Sequence, residues 1–183
     1  MVTLSMLWLP ILLSAIAVLI ASNILWMALP FWHNADYGRV PEEKAILDAL
    51  STAKSGQYLV PRVDWRKLSA DERQAMQSRP VAYILVRNPA KFSFGPALAL
   101  FFLYGLAIAV IVGYLTGCSR GPGADSHEVF HFAAIAGFLG FGFRSVSDAI
   151  WYGKPWRVAF KEMIDGLIYG MVMGAIFSWL WPR

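Results

Sequence analysis

The sequence predicts an all-α membrane protein, a four-transmembrane-helix bundle with a small α/β domain inserted between the first two helices. Hydrophobic residues make up 57% of the 183 and charged residues only 15%, a balance that belongs to the membrane class. Four apolar stretches meet or approach the roughly 20 helical residues needed to cross about 30 Å of hydrocarbon. A polar segment with an apolar pattern of its own, residues 33–92, separates the first stretch from the other three, which share residues 93–183.

The first span occupies residues 1–32, running uncharged from Leu4 to Trp32 and broken only by Ser14, Ser22, Asn23 and Pro30. It lacks the basic start and small-x-small cleavage site of a signal peptide, so an uncleaved anchor is expected. The second, about 94–117, is bracketed by Lys91 and Arg120. The third, about 129–151, is apolar from Val129 to Phe143. It reaches the interface only by continuing past Arg144 to Trp151 and Tyr152, an aromatic belt. The fourth, about 156–181, starts after Pro155, which suits a first helical turn, and ends on Trp179 and Trp181.

In the inserted segment, Val40-Pro41-Glu42-Glu43 reads as a helix start, with Ile46, Leu47 and Leu50 on one face and a stop near Lys54-Ser55-Gly56. Gln57 to Val60 and Val81 to Val86 read as strands. Between them, Ser69-Ala70-Asp71-Glu72 has the spacing of a capping box for a helix ending near Gln77. The expected order is α-β-α-β.

Packing in lipid relies on close backbone approach, so small-residue stripes mark helix contacts. Gly105, Ala109, Gly113 and Gly117 form one stripe, and Gly166, Gly170, Gly174 and Ser178 form another. The plainer reading is packing within the bundle; the alternative is docking of a partner or a second copy. Asn23, near the middle of the first span, is expected to make an interhelical hydrogen bond.

Charges at membrane depth face the protein interior or a wet cavity. Arg144 and Asp148 are four apart in the third helix and can pair, while Glu162 and Asp165 begin the fourth near the same interface. They define either a polar pocket or a structural latch between the two helices. His127 and His131 share a helix face beside Glu128, a spacing found in metal sites, but two histidines are a weak ligand set. His33 lies a membrane thickness away. Cys118 stands alone, so it makes no internal disulfide. No cofactor is expected. The net charge of +4 lies mostly outside the apolar segments and suits lipid headgroups better than nucleic acid.

The order Leu29-Pro30-Phe31-Trp32-His33, Pro41-Glu42-Glu43, Ser55-Gly56-Gln57-Tyr58 and Ile150-Trp151-Tyr152-Gly153-Lys154-Pro155, before a final acid-bearing helix, resembles a family of small bacterial inner-membrane proteins without an assigned activity. The resemblance covers most of the chain and brings no catalytic residues. It implies a bacterial inner membrane with the inserted domain on the periplasmic face. Charge counting opposes that side: Arg144, Lys154, Arg157 and Lys161 flank the short loop on the same side as the insertion, which the positive-inside rule makes cytoplasmic.

With no nucleophile elbow, phosphate loop or paired cysteines, the expectation is a non-catalytic accessory or assembly subunit of a larger inner-membrane complex of respiratory, photosynthetic or oxidase type. Its partners would be the bilayer, other subunits and in one version a second copy. The alternative is a small transporter or channel, homo-oligomeric in one form, using Arg144, Asp148, Glu162 and Asp165. A lipid-modifying enzyme using His127, Glu128 and His131 has only that pair in its favour.

Overall fold

The computed structural model describes residues 2–64, 66–87 and 93–183; Lys91, the expected bracket of the second span, lies outside the described residues. The chain divides into two compact units, Met1–Gly38 with Phe94–Arg183, and Arg39–Ser93.

In the first unit, a 3₁₀ turn at Leu4–Leu7 leads into α1, Trp8–Asn23, which is followed by a wide π turn, Ile24–Ala28. Pro30 explains that turn. Its ring disfavours helical backbone at the preceding residue, and Leu29 leaves the helix at φ −112° and ψ 73°. The Leu29 amide reaches back five residues to the Ile24 carbonyl at 3.1 Å. The chain then restarts with Pro30 at the head of α2, Pro30–His33, and closes with a 3₁₀ turn, Asn34–Asp36. Asn23 bonds the Leu19 carbonyl of its own helix at 2.7 Å, in place of the expected bond across helices.

The second unit holds α3, Glu43–Leu50, β1, Gly56–Val60, α4, Ala70–Gln77, and β2, Ala82–Val86. The strands pair antiparallel, Gly56 opposite Val86 and Val60 opposite Ala82. Ser69 and Glu72 form the reciprocal capping box. The helix start expected at Pro41 comes two residues later, at Glu43, with Glu42 as the cap in the left-handed conformation at φ 54°.

The first unit resumes with α5, Phe94–Ser119, α6, Ser126–Gly142, α7, Arg144–Tyr152, and α8, Trp156–Trp179. Phe143 breaks the third apolar segment into α6 and α7, and the Ser145 hydroxyl donates to the Gly142 and Ala159 carbonyls at 2.9 and 3.2 Å. Gly153, at φ 68°, supplies the left-handed cap that turns the chain into α8, a conformation glycine adopts without steric cost. Pro155 stands at the N-cap of α8, one position before its first turn.

Three segments are long and apolar enough to cross a membrane: Leu4–Ala28, Phe94–Ser119 and Ser126–Tyr152. Helix α8 has the length, but its first three turns carry Arg157, Lys161, Glu162 and Asp165. Its uncharged remainder, 166–179, spans about 21 Å at the α-helical rise.

Gly166, Gly170 and Gly174 of one stripe, and Gly113 and Gly117 of the other, make close contacts within the unit. A Cβ on Gly166 would stand 2.5 Å from the Gly142 Cα, one on Gly170 2.5 Å from the Ala134 carbonyl oxygen, and one on Gly174 2.8 Å from that of Phe130. Helices α6 and α8 therefore touch backbone to backbone. The α5 stripe packs on α1, where a Cβ on Gly117 would meet the Val2 carbonyl oxygen at 2.6 Å, whereas one on Gly105 would find nothing closer than 3.9 Å. Val18, Val112, Val129, Met173 and Phe177 fill the core between these helices.

The two glycines predict opposite outcomes. Gly170→Ala should lower the melting temperature in detergent clearly, because only backbone lies in the way. Gly105→Ala should be neutral or slightly stabilising, since alanine is the better helix former by up to about 1 kcal/mol. Equal effects at both positions would refute the backbone-contact assignment.

Candidate functional site

The wide turn after α1 determines what the end of the first span presents. It brings the Trp26 ring flat onto the His33 imidazole, with centroids 3.8 Å apart and planes 10° from parallel. His33, only 4% exposed, then has a carboxylate at each nitrogen: Asp36 Oδ2 lies 2.9 Å from Nδ1, and Asp165 Oδ2 lies 2.8 Å from Nε2. Each ring nitrogen thus faces a carboxylate oxygen.

The other carboxylate oxygens are also engaged. Trp32 Nε1 donates to Asp165 Oδ1 at 2.8 Å. Lys161 Nζ donates to Asp36 Oδ1 at 2.8 Å and to the Trp32 carbonyl, with Trp32's ring 5.4 Å from the ammonium. Arg157 donates to the Ala35 carbonyl at 2.9 Å. Asp36 and Asp165 thus meet His33, Lys161 and, at 3.9 Å from Asp36, Arg157, in a network that ties α2 and the turn after it to α8. Burial pushes the Asp36 carboxyl up, but the hydrogen bonds and charges of Lys161 and His33 outweigh it and hold the group below its ordinary value.

The expected quartet of charges separates. Asp165 joins His33. Asp148 and Glu162 share Lys154, at 3.3 and 2.7 Å. Burial lowers the Lys154 ammonium, and the two acids more than reverse that, leaving it above its usual value. Arg144 is exposed at the head of α7 and makes no ion pair with Asp148. The left-handed turn at Gly153 is the cause: it folds Lys154 back, so that its amide reaches the Asp148 carbonyl at 3.4 Å and its ammonium takes the side chain.

Asp165 and Glu162 also line a pocket of about 280 Å³ with Ser22, Trp26, Phe101, Tyr104, Phe141 and Tyr169. Its aromatic wall is held edge to face, Tyr104 on Phe141 at 5.5 Å and Phe141 on Tyr169 at 5.4 Å. Tyr104's hydroxyl is spent on the Gly140 carbonyl at 3.0 Å. The Tyr169 hydroxyl is buried without a hydrogen-bonded partner; Ser22 and Trp26 lie close to it but out of bonding geometry.

His127 and His131 meet at the exposed start of α6, with Nε2 atoms 3.0 Å apart, while Glu128 turns to Arg120 at 3.1 Å. Among the described residues no three or more His, Cys, Asp or Glu side chains are grouped to hold a metal ion. His33 cannot gather its two aspartates around one ion, since its ring nitrogens point apart. The centre of the site, His33 with Asp36 and Lys161, was absent from the expected charge cluster. The available signal was the i, i+3 spacing of His33 and Asp36 on the membrane side already assigned to Asp165.

No family model, curated protein or solved structure matches the chain.

An acid titration tests the network. Asp36 titrates lower folded than unfolded, so its contribution is present above about pH 4, where a free aspartate ionises. It is lost as pH falls through the depressed folded value. Melting temperature should therefore drop on acidification into that range, and Asp36→Asn should start lower at neutral pH and show a shallower drop. An unchanged acid slope in Asp36→Asn would remove Asp36 from the account.

Proposed function

We propose that the chain is a four-span protein of the bacterial inner membrane that works as a non-catalytic binding component of a larger assembly, with the pocket beside Asp165 as its working element. The observation that carries this reading is the pairing of a buried charge network with an open pocket that shares Asp165. Buried ion pairs are a poor route to stability, because desolvation offsets their attraction. Ionisable groups at membrane depth point instead to a site. Here the network fixes the position of Asp165, and the pocket next to it retains a buried hydroxyl with no partner.

The fourth span is α8. Its glycine face lies against α6 at backbone distance, and its four charges gather in the first three turns at one end of the bundle, where Asp165, Lys161 and Arg157 join the His33 network and Glu162 pairs with Lys154. With four spans both termini share one side. Following the resemblance, that side is the cytoplasm, because a long inserted domain translocates largely regardless of its charge.

Two experiments test the reading. Native mass spectrometry of the protein purified in mild detergent should show a small molecule or lipid retained by the wild type and lost from Ser22→Leu, whose side chain fills the pocket, at unchanged melting temperature. Equal spectra for the two proteins would refute a binding role. Alkaline phosphatase fused after Arg183 should be inactive in cells, and strong activity would reverse the orientation.

A further inference from the structure

We infer that the pocket is a receptor for a small ammonium group, either a free alkylamine or the ethanolamine headgroup of a lipid; this rests on the binding role proposed above. The polar inventory decides the ligand class. Glu162 uses one oxygen, Oε2, on Lys154, and Asp165 has one donor on each oxygen, so both retain acceptor capacity. Tyr104's hydroxyl is already donating elsewhere. The polar groups left among the lining residues are two carboxylates, the hydroxyls of Ser22 and Tyr169, and one donor, the Trp26 indole N–H. Acceptors dominate, so anionic and carbonyl-bearing ligands are disfavoured and a cation with N–H donors is preferred.

A second, independent observation points the same way. Tyr169 is 6% exposed and its hydroxyl lacks a partner, although buried polar groups are normally satisfied. Tyr169 lines the pocket together with Ser22 and Trp26, the two polar groups beside that hydroxyl. An ammonium placed there supplies the missing donor. Phe101, Phe141 and Tyr104 line the cavity with ring surface, which attracts cations. A volume of about 280 Å³ lies just below the usual range of drug-sized sites, as a headgroup-sized ligand requires.

The test uses full-length protein in detergent titrated with ethanolamine, and in nanodiscs of phosphatidylglycerol with or without phosphatidylethanolamine. Expected is a saturable rise in melting temperature with one of the two amine sources. A response to free ethanolamine identifies a soluble amine, and one confined to phosphatidylethanolamine nanodiscs identifies the headgroup. Tyr169→Phe should melt at the same temperature as the wild type or higher, since it removes an unsatisfied hydroxyl, yet bind the amine about tenfold more weakly. A Tyr169 of purely structural importance would give the reverse pattern. Amine responses missing from the wild type, or equal in wild type and Tyr169→Phe, would overturn the ammonium assignment. A retained neutral or anionic ligand that Ser22→Leu expels would also overturn it, while leaving the binding role intact. Loss of all ligand signals would end both.

Discussion

An imidazole with a carboxylate at each nitrogen joins the end of the first apolar helix to the start of the last. Without this junction, Asp165 and Lys161 in the first turns of α8 would lose His33 and Asp36 as partners, and a buried ion left without its partner is costly. With it, His33 and Lys161 engage three of the four oxygens of Asp36 and Asp165, and the Trp32 indole donates to the fourth. The polar pocket exists because its acid is already held in place from behind. The wide turn before Pro30 makes this possible by bringing Trp26 over the face of His33.

The rest of the bundle follows from where glycine occurs. Helices α6 and α8 approach to backbone contact along Gly166, Gly170 and Gly174, and that approach sets the axis on which Asp165 and Tyr169 are displayed. Helix α5 meets α6 through larger side chains and leaves an apolar groove along Ile108, Ile111, Leu115, Phe132, Ile135 and Leu139. Dense packing on one side of α6 and open packing on the other are both legible as the spacing of small residues.

Signals that depend on one stretch of chain were readable in the sequence. Hydropathy marked spans over about 4–32 and 94–117, which the structure forms as Leu4–Ala28 and Phe94–Ser119, and Ser69 with Glu72 announced the α4 cap. The spacing of Gly166, Gly170 and Gly174 indicated a close helix face. What was not readable depends on backbone geometry away from the residues concerned. The i, i+4 spacing of Arg144 and Asp148 suggested a pair, but the turn at Gly153 delivers Lys154 to Asp148 first. Asn23 satisfies itself on its own helix turn, which spacing alone does not reveal. His33 meets Asp165 across 132 positions, and only the detour at Pro30 brings them together.

That separation has a consequence for biosynthesis. Ribosomes extend chains at about 5–20 residues per second, so His33 and Asp36 leave the ribosome roughly ten seconds before Asp165 and Lys161 do. During that interval the first helix can enter the bilayer while its polar end has no charges from α8 to meet. The junction is therefore a late fastening, closed only once α8 has been made, and until then the end of the first helix stays unfastened.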